Sequence, residues 1–187
     1  MSLAKAPVSQ FVTTWSRGYS YPAETLYTSN IGRPLNRRRL EQLFEWKNGG
    51  KLSKGKQESV ERNYLTRYAE LSRLPAHVAA RDLLQQFGGG PIWRVFFLHC
   101  WRPQSFPIYD QHVHRAMEYV ETGVPREIAT STQSVLADYT ERYIPFWNRI
   151  QPGADRDADK ALWVFGRLLK RYSWLLGPMG GGQPRAT

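Results

Sequence analysis

Cysteine is nearly absent from the sequence, and this scarcity excludes several kinds of site. Cys100 is the single cysteine among 187 residues. One cysteine can form neither an internal disulfide nor a cysteine-rich zinc site, and such usage is typical of a reducing compartment. We therefore expect a cytoplasmic protein, associated with the nucleoid if it is bacterial.

Long apolar runs are missing as well. The longest stretches, such as Ile92–Leu98, are far shorter than the ~20 residues of a membrane-spanning helix, and Arg94 interrupts this one. The opening residues, MSLAKAPVSQ, lack the apolar core of a secretory signal. We expect no membrane partner.

Acidic residues are outnumbered by basic ones. The chain has 26 Lys and Arg against 16 Asp and Glu, which gives a formal net charge of +10. This excess is typical of proteins that bind nucleic acid or another anionic surface. It can also serve solubility alone, because many basic proteins bind no particular polyanion.

Alternating strand patterns and internal repeats are not visible, so helices must build the fold. Seven segments show helical spacing of apolar residues or helix start and stop signals. They are Leu35–Trp46, Gln57–Leu74, Ala76–Phe87, Ile92–Trp101, Asp110–Glu121, Thr130–Asn148 and Asp157–Leu175. The segment up to Pro34 is predicted to be irregular or short helical structure packed onto the body. We predict an all-α fold, a compact single domain over residues 1–177 with a disordered tail over 178–187.

A glycine turn separates two of the predicted helices. Gly88, Gly89 and Gly90 leave backbone N–H groups uncovered at the start of the following helix, where the helix dipole also favours an anion. Such a turn can hold a phosphate. A simple corner between helices also uses glycine, for a positive φ, and needs no ligand.

An aspartate follows the glycine turn by about twenty residues, in the sequence Tyr109-Asp110-Gln111-His112-Val113. Together with Arg115 and the turn, this Asp-x-His-Val pattern resembles the helix-hairpin-helix superfamily of DNA glycosylases over Ala76–Met117. The resemblance implies a hairpin at Phe87–Ile92 and a catalytic role for Asp110. Elsewhere in the chain the likeness is only architectural.

The chemistry implied by this resemblance needs one carboxylate. Cleavage of the bond between a base and its sugar develops positive charge on the sugar, which a nearby carboxylate can stabilise while it orients a water. The resemblance thus implies that the protein removes a damaged or modified base extruded from double-stranded DNA, with Asp110 as the catalytic carboxylate and without a cofactor. The residues alone also allow Asp110 to be only an N-cap, in an inactive DNA-binding or protein-interaction module on the same fold.

The lyase members of that superfamily keep a lysine in or just after the hairpin. Here Pro91–Arg94 contains none, and Arg94 cannot form a Schiff base because it stays protonated. We therefore expect a monofunctional hydrolase, acting as a monomer. A lysine from elsewhere, such as Lys47, remains an open alternative.

The residues expected to contact DNA fall into two groups. Backbone contacts are expected from Gly88, Gly89, Gly90, Ile92, Arg94, Arg37, Arg38, Lys47, Lys51 and Lys54, with a further cationic set at Arg167, Lys170 and Arg171. The expected base pocket consists of Trp93, Tyr109, Trp101, Trp15, Tyr19 and His112, with Tyr21 as a further candidate. Cation runs are also common on solvated faces, and each aromatic residue can equally well fill the core.

Metal chemistry has little support in the sequence. His112 and His114, two residues apart on a helix, point about 200° away from each other rather than toward one ion. A nuclease would need clustered acids, but Asp155, Asp157 and Asp159 are most simply helix-start charges that complement the dipole. We expect no metal.

Overall fold

The computed structural model describes residues 8–71, 73–74, 78–150 and 156–172, and every regular element within these ranges is helical. The α-helices are α1 (Val8–Ser16), α2 (Glu24–Thr28), α3 (Arg37–Asn48), α4 (Lys54–Val60), α5 (Tyr68–Leu71), α6 (Ala80–Gln86), α7 (Pro91–Trp101), α8 (Gln111–Thr122), α9 (Thr132–Asp138), α10 (Ile144–Ile150) and α11 (Arg156–Arg171). The predicted all-α class is confirmed. Each of the seven predicted segments contains helix, while α1 and α2 occupy the N-terminal segment. The predicted tail, 178–187, lies outside the described residues.

Two π-helical turns modify the predicted helices. Glu61–Leu65 continues α4, and Tyr139–Tyr143 joins α9 to α10 without a break. Pro145 lies inside the predicted helical segment Thr130–Asn148, where a proline is expected to kink or end the helix. The helix does not end there but continues to Ile150, and the π turn lies just before the proline. A proline ring crowds the carbonyl four residues earlier, which here belongs to Glu141 within the wider π turn. The π turn thus lies where the proline ring would otherwise crowd the backbone carbonyl of the preceding helical turn.

The centre of the fold is α7, whose residues from Val95 to Cys100 are all buried. His99 is 4% exposed, and its Nδ1 donates to the Phe106 carbonyl at 2.7 Å. Its Nε2 therefore accepts from the Tyr27 hydroxyl, 2.8 Å away. These bonds connect α7 with α2 and with the loop that leads to α8.

Helices α8 and α11 approach each other unusually closely at Gly166. A Cβ atom at this position would lie 1.9 Å from the backbone oxygen of His112, so only glycine permits the contact. The buried Arg115 donates to the Gly166 carbonyl at 3.0 Å and also pairs with Glu127. This packing fixes α11 against the first turn of α8, which follows Asp110.

None of the helices in the described ranges has both the length and the apolar character needed to cross a bilayer.

Candidate active site

A cavity of about 470 Å³ lies among the N-terminal ends of α7 and α8, the C-terminal end of α3, the first half of α11 and the segment before α2. Its walls are mainly aromatic and aliphatic. The apolar lining residues are Tyr19, Tyr21, Trp46, Ile92, Trp93, Ile108, Ile128 and Trp163. The polar ones are Lys47, Asp110, Gln111, His112, Arg156 and Asp159. A few polar groups in an apolar cleft are typical of a site for a small ligand or an extruded base.

Asp110 serves as N-cap and cavity carboxylate at once. Its backbone is extended, and its Oδ1 accepts from the N–H groups of His112 at 2.8 Å and Val113 at 3.2 Å. Its Oδ2 lies 3.3 Å from Lys47 Nζ, and 19% of the side chain is exposed. The helix start therefore holds one oxygen in place while the other is directed to the cavity side, where Lys47 stands.

The surroundings of Asp110 favour its ionised form. Burial raises the pKa of this carboxyl, but the nearby Lys47 charge, His112 and the two cap hydrogen bonds outweigh it, and the pKa lies below its usual value. The pKa of His112 is also lowered, chiefly by burial and despite Asp110. At neutral pH the site thus contains a carboxylate beside a neutral imidazole.

Lys47 comes from the last turn of α3 and is the partner of Asp110. Only 8% of its side chain is exposed, and its ammonium also donates to the Tyr109 carbonyl at 3.5 Å. The sequence predicted Lys47 as a contact for the DNA backbone, with a place in the pocket left open. A signal was present, because Lys47 follows the buried Leu40 and Leu43 by seven and four residues and so shares their face.

One wall of the cavity is a continuous group of rings. Trp163 makes edge contacts with Tyr21 at 5.6 Å, with Tyr19 at 5.5 Å and with the His112 imidazole at 5.4 Å between ring centroids. Tyr21 also packs against Trp46 and donates to the Lys47 carbonyl at 3.2 Å. Such a wall offers faces on which a planar base can stack. The sequence offered Tyr21 as a candidate for the pocket, but it did not single out Trp163.

An ion network joins this wall to the N-terminal segment. Arg156, at the start of α11, pairs with Glu24 at 2.9 Å and with Asp159, and its guanidinium lies 4.4 Å over the Tyr27 ring. Glu24 also accepts from the Trp46 indole N–H at 2.8 Å. The segment before α3 is therefore tied to the body beside the cavity.

The predicted pocket residues divide into two sets. Trp93, Tyr19 and His112 line the cavity, as do Ile92 and Lys47 from the predicted backbone contacts. Three others lie elsewhere: Trp15 packs on Phe165, Trp101 stacks on Phe106, and Tyr109 is 1% exposed. Tyr109 and Asp110 are consecutive, and side chains alternate along extended backbone, so one points away when the other faces the cavity.

The side chain of Tyr109 belongs to a separate buried cluster. Its hydroxyl donates to Asp138 and lies 2.9 Å from His114 Nδ1. His114, Glu118 and Asp138 could together offer ligand atoms to a metal. However, the Arg142 guanidinium already pairs with both Glu118 and Asp138. Arg126 lies 3.8 Å from the second Glu118 oxygen, so two arginines face the two carboxylates of this cluster, which does not border the cavity.

The three glycines of the turn do not line the cavity, but Ile92 and Trp93, which follow the turn after Pro91, do. Gly89 has φ of +82°, a conformation that favours glycine. Tyr64 donates its hydroxyl to the Gly88 carbonyl at 3.0 Å, and Arg94 Nε donates to the Gly89 carbonyl at 2.9 Å. Within the described residues, the N–H groups of the three glycines and Ile92 have no hydrogen-bond partner. Side-chain hydrogen bonds to its carbonyls therefore hold the turn.

The other predicted backbone contacts do not line the cavity. Arg37 pairs with Glu41 and Glu61, and it precedes Lys47 by ten residues, or ~15 Å along α3. Arg38, on the same turn as Arg37, is exposed. Lys51, in the loop after α3, and Lys54, the first residue of α4, are exposed as well. The Arg94 guanidinium donates to the Gly89 carbonyl of the turn and to the Leu84 carbonyl of α6.

Comparison of the chain with protein-family models, with curated proteins and with solved structures found no match.

Proposed function

We propose that this protein hydrolyses the N-glycosidic bond of a damaged or modified base that is extruded from double-stranded DNA. One observation carries the proposal: an ionised, partly exposed Asp110 faces an aromatic cavity that is also lined by Ile92 and Trp93, the residues that follow the glycine turn and Pro91. The helix-hairpin-helix resemblance of the same turn and aspartate supports the proposal.

In this reaction the base stacks against the ring wall, and the glycine amides bind a phosphate of the extruded strand. The sugar carbon then lies beside Asp110. As the bond to the base breaks, the carboxylate stabilises the positive charge that develops on the sugar, and water completes the substitution at that carbon. Lys47 and the two cap hydrogen bonds keep Asp110 ionised throughout.

The proposal is tested with duplex oligonucleotides that carry damaged, mismatched or modified bases. We expect at least one substrate to acquire an alkali-labile abasic site, and Asp110→Asn to abolish its formation. Asn is also a good N-cap, so this variant keeps the fold while it loses the charge. The matched control is Asp82→Asn, an exposed acid in the first turn of α6, which should retain full activity. An active Asp110→Asn would overturn the assignment.

A second candidate function is cleavage of the DNA strand at the resulting abasic site. It is favoured by Lys47 Nζ, which lies in the cavity 3.3 Å from Asp110. A neutral lysine amine can attack the C1′ aldehyde and lose water to form a Schiff base. Removal of a C2′ proton by the carboxylate then expels the 3′ phosphate by β-elimination.

Borohydride reduction separates the two candidates, because it converts a Schiff base into a stable covalent adduct. If Lys47 is a nucleophile, the wild type is trapped on abasic DNA and Lys47→Arg is not, although Arg keeps the cation beside Asp110. If the protein is only a hydrolase, neither is trapped and both release the base. If the Lys47→Arg variant is still trapped on abasic DNA, Lys47 is not the nucleophile.

A further inference from the structure

We propose that the exposed face of α11 binds the phosphates that flank the extruded nucleotide. The proposal rests on the proposed function, which supplies the extruded nucleotide. The surface consists of Lys160, Trp163, Arg167 and Lys170, and we refer to it as the α11 stripe. These positions follow each other by three or four residues, so they lie along one side of the helix.

The α11 stripe meets the cavity at Trp163, which forms part of its aromatic wall. The Arg167 guanidinium lies 5.3 Å over the Trp163 ring, and the Lys160 ammonium lies 5.9 Å from the ring of Tyr19, another wall residue. The cations therefore stand at the edge of the space that a base would occupy. A phosphate one nucleotide away from that base would reach them.

The charge of this face is concentrated. Arg167 and Lys170 are both exposed, and α11 has no acidic residue from Lys160 to Arg171. Its two acids, Asp157 and Asp159, lie in the first turn, where they pair with Lys160 and Arg156. Arg167 has no carboxylate partner within the described ranges. Its cation is thus available to an external anion.

The electrostatic reach of these cations extends to the candidate catalytic residues. The pKa of His112 is lowered mainly by burial, and Lys170 and Arg167 lower it further. His112 is two residues from Asp110 and lines the cavity. Glu127, from another segment, is paired with the buried Arg115, and its pKa is lowered chiefly by Arg115 and also by the Lys170 charge.

The basic triplet Arg37-Arg38-Arg39, at the start of α3, is a less suitable surface for these phosphates. Arg37 is occupied by Glu41 and Glu61, and the triplet lies ~15 Å along α3 from Lys47. A duplex with its extruded base in the cavity would have its adjacent phosphates near the glycine turn and the α11 stripe. The chemistry of both elements, amides and cations, suits the same strand.

The experiment measures how DNA affinity depends on salt. The probe is a duplex with a central tetrahydrofuran abasic analogue, and the proteins are the wild type, Arg167→Gln/Lys170→Gln and the matched control Arg37→Gln/Arg38→Gln. Each phosphate contact contributes about −0.9 to the slope of log affinity against log salt. We expect the slope of the α11 variant to be about two units less steep than that of the wild type. The ratio of wild-type affinity to variant affinity should therefore fall roughly tenfold between 50 and 200 mM salt. The control should keep the wild-type slope.

Equal slopes in the wild type and the α11 variant would overturn the proposal, as would a larger loss in the control. Absence of DNA binding by the folded wild type, with binding to anionic vesicles instead, would also overturn it. Thermal melting of each variant shows that it is folded. Failure of the proposed function is a different result: the α11 slope changes as expected, but no base is released from any substrate.

Discussion

At the scale of single residues, the site depends on Asp110, whose two carboxylate oxygens have different partners. Asp110 caps α8 with one oxygen and faces Lys47 with the other. An aspartate after an apolar stretch could be recognised from the sequence, because the cap and the Asp-x-His-Val pattern are local. Its partner could not be recognised as easily. Lys47 is 63 positions away and becomes a neighbour only through the packing of α3 against α7 and the loop before α8.

His99 provides a test at this scale, through the pH dependence of folding. Burial lowers its folded-state pKa to about 3, whereas an unfolded histidine titrates near 6.5. The stabilising contribution is therefore complete above pH 6.5 and is lost as pH falls toward 3, by up to ~1.4 kcal/mol per pH unit. Chemical denaturation between pH 7 and 4 should show a shallower decline for His99→Gln than for the wild type. Parallel curves would show that His99 is not the group responsible.

At the scale of elements, the position of the site is set by how closely α8 and α11 approach. The sequence predicted both helices from their apolar spacing. It did not predict their contact, because Gly166 inside a helix has no local signal that distinguishes close packing from chance. The same limit applies to the π-helical turns, since the helix-period pattern continues through them. Propensity and periodicity describe an element, while its neighbours decide its fine geometry.

Gly166→Ala tests the element-scale account. The added methyl group would lie 1.9 Å from the His112 backbone oxygen, so α11 must shift away from the first turn of α8. We expect a loss of ~1–3 kcal/mol in the free energy of unfolding, as for other overpacked sites. Base release should fall too, because Trp163 and His112 separate.

Gly55→Ala is the matched control for this substitution. Gly55 also lies inside a helix, α4, but no atom stands within 4 Å of the position where its Cβ would be. Alanine is favoured over glycine by about 0.5–1 kcal/mol in a helix, so this variant should be as stable as the wild type or more so. Denaturant unfolding of the two variants side by side gives the comparison. A Gly166→Ala protein as stable as Gly55→Ala would contradict the close contact.

At the scale of the whole molecule, the cavity brings together groups from both ends of the chain. Tyr19 and Tyr21 come from the N-terminal segment, Trp93 from α7, and Trp163 from α11. The sequence predicted the basic, all-α character and the glycine turn near Asp110. It could not predict which of the many aromatic residues would share one cavity, because that depends on packing between segments more than a hundred residues apart. Trp15 and Trp101 were therefore as plausible as Trp163 until the fold was known.

The most direct test of the account is single-turnover release of free base, detected by mass spectrometry, with DNA affinity measured in parallel for the wild type and Asp110→Asn. The account predicts that the wild type releases a base from at least one modified duplex. Asp110→Asn should release it at least ~100-fold more slowly while it binds the same duplex with unchanged affinity. DNA binding by both proteins with no base released from any substrate would contradict it, and would instead indicate a binding module in which Asp110 is only a helix cap.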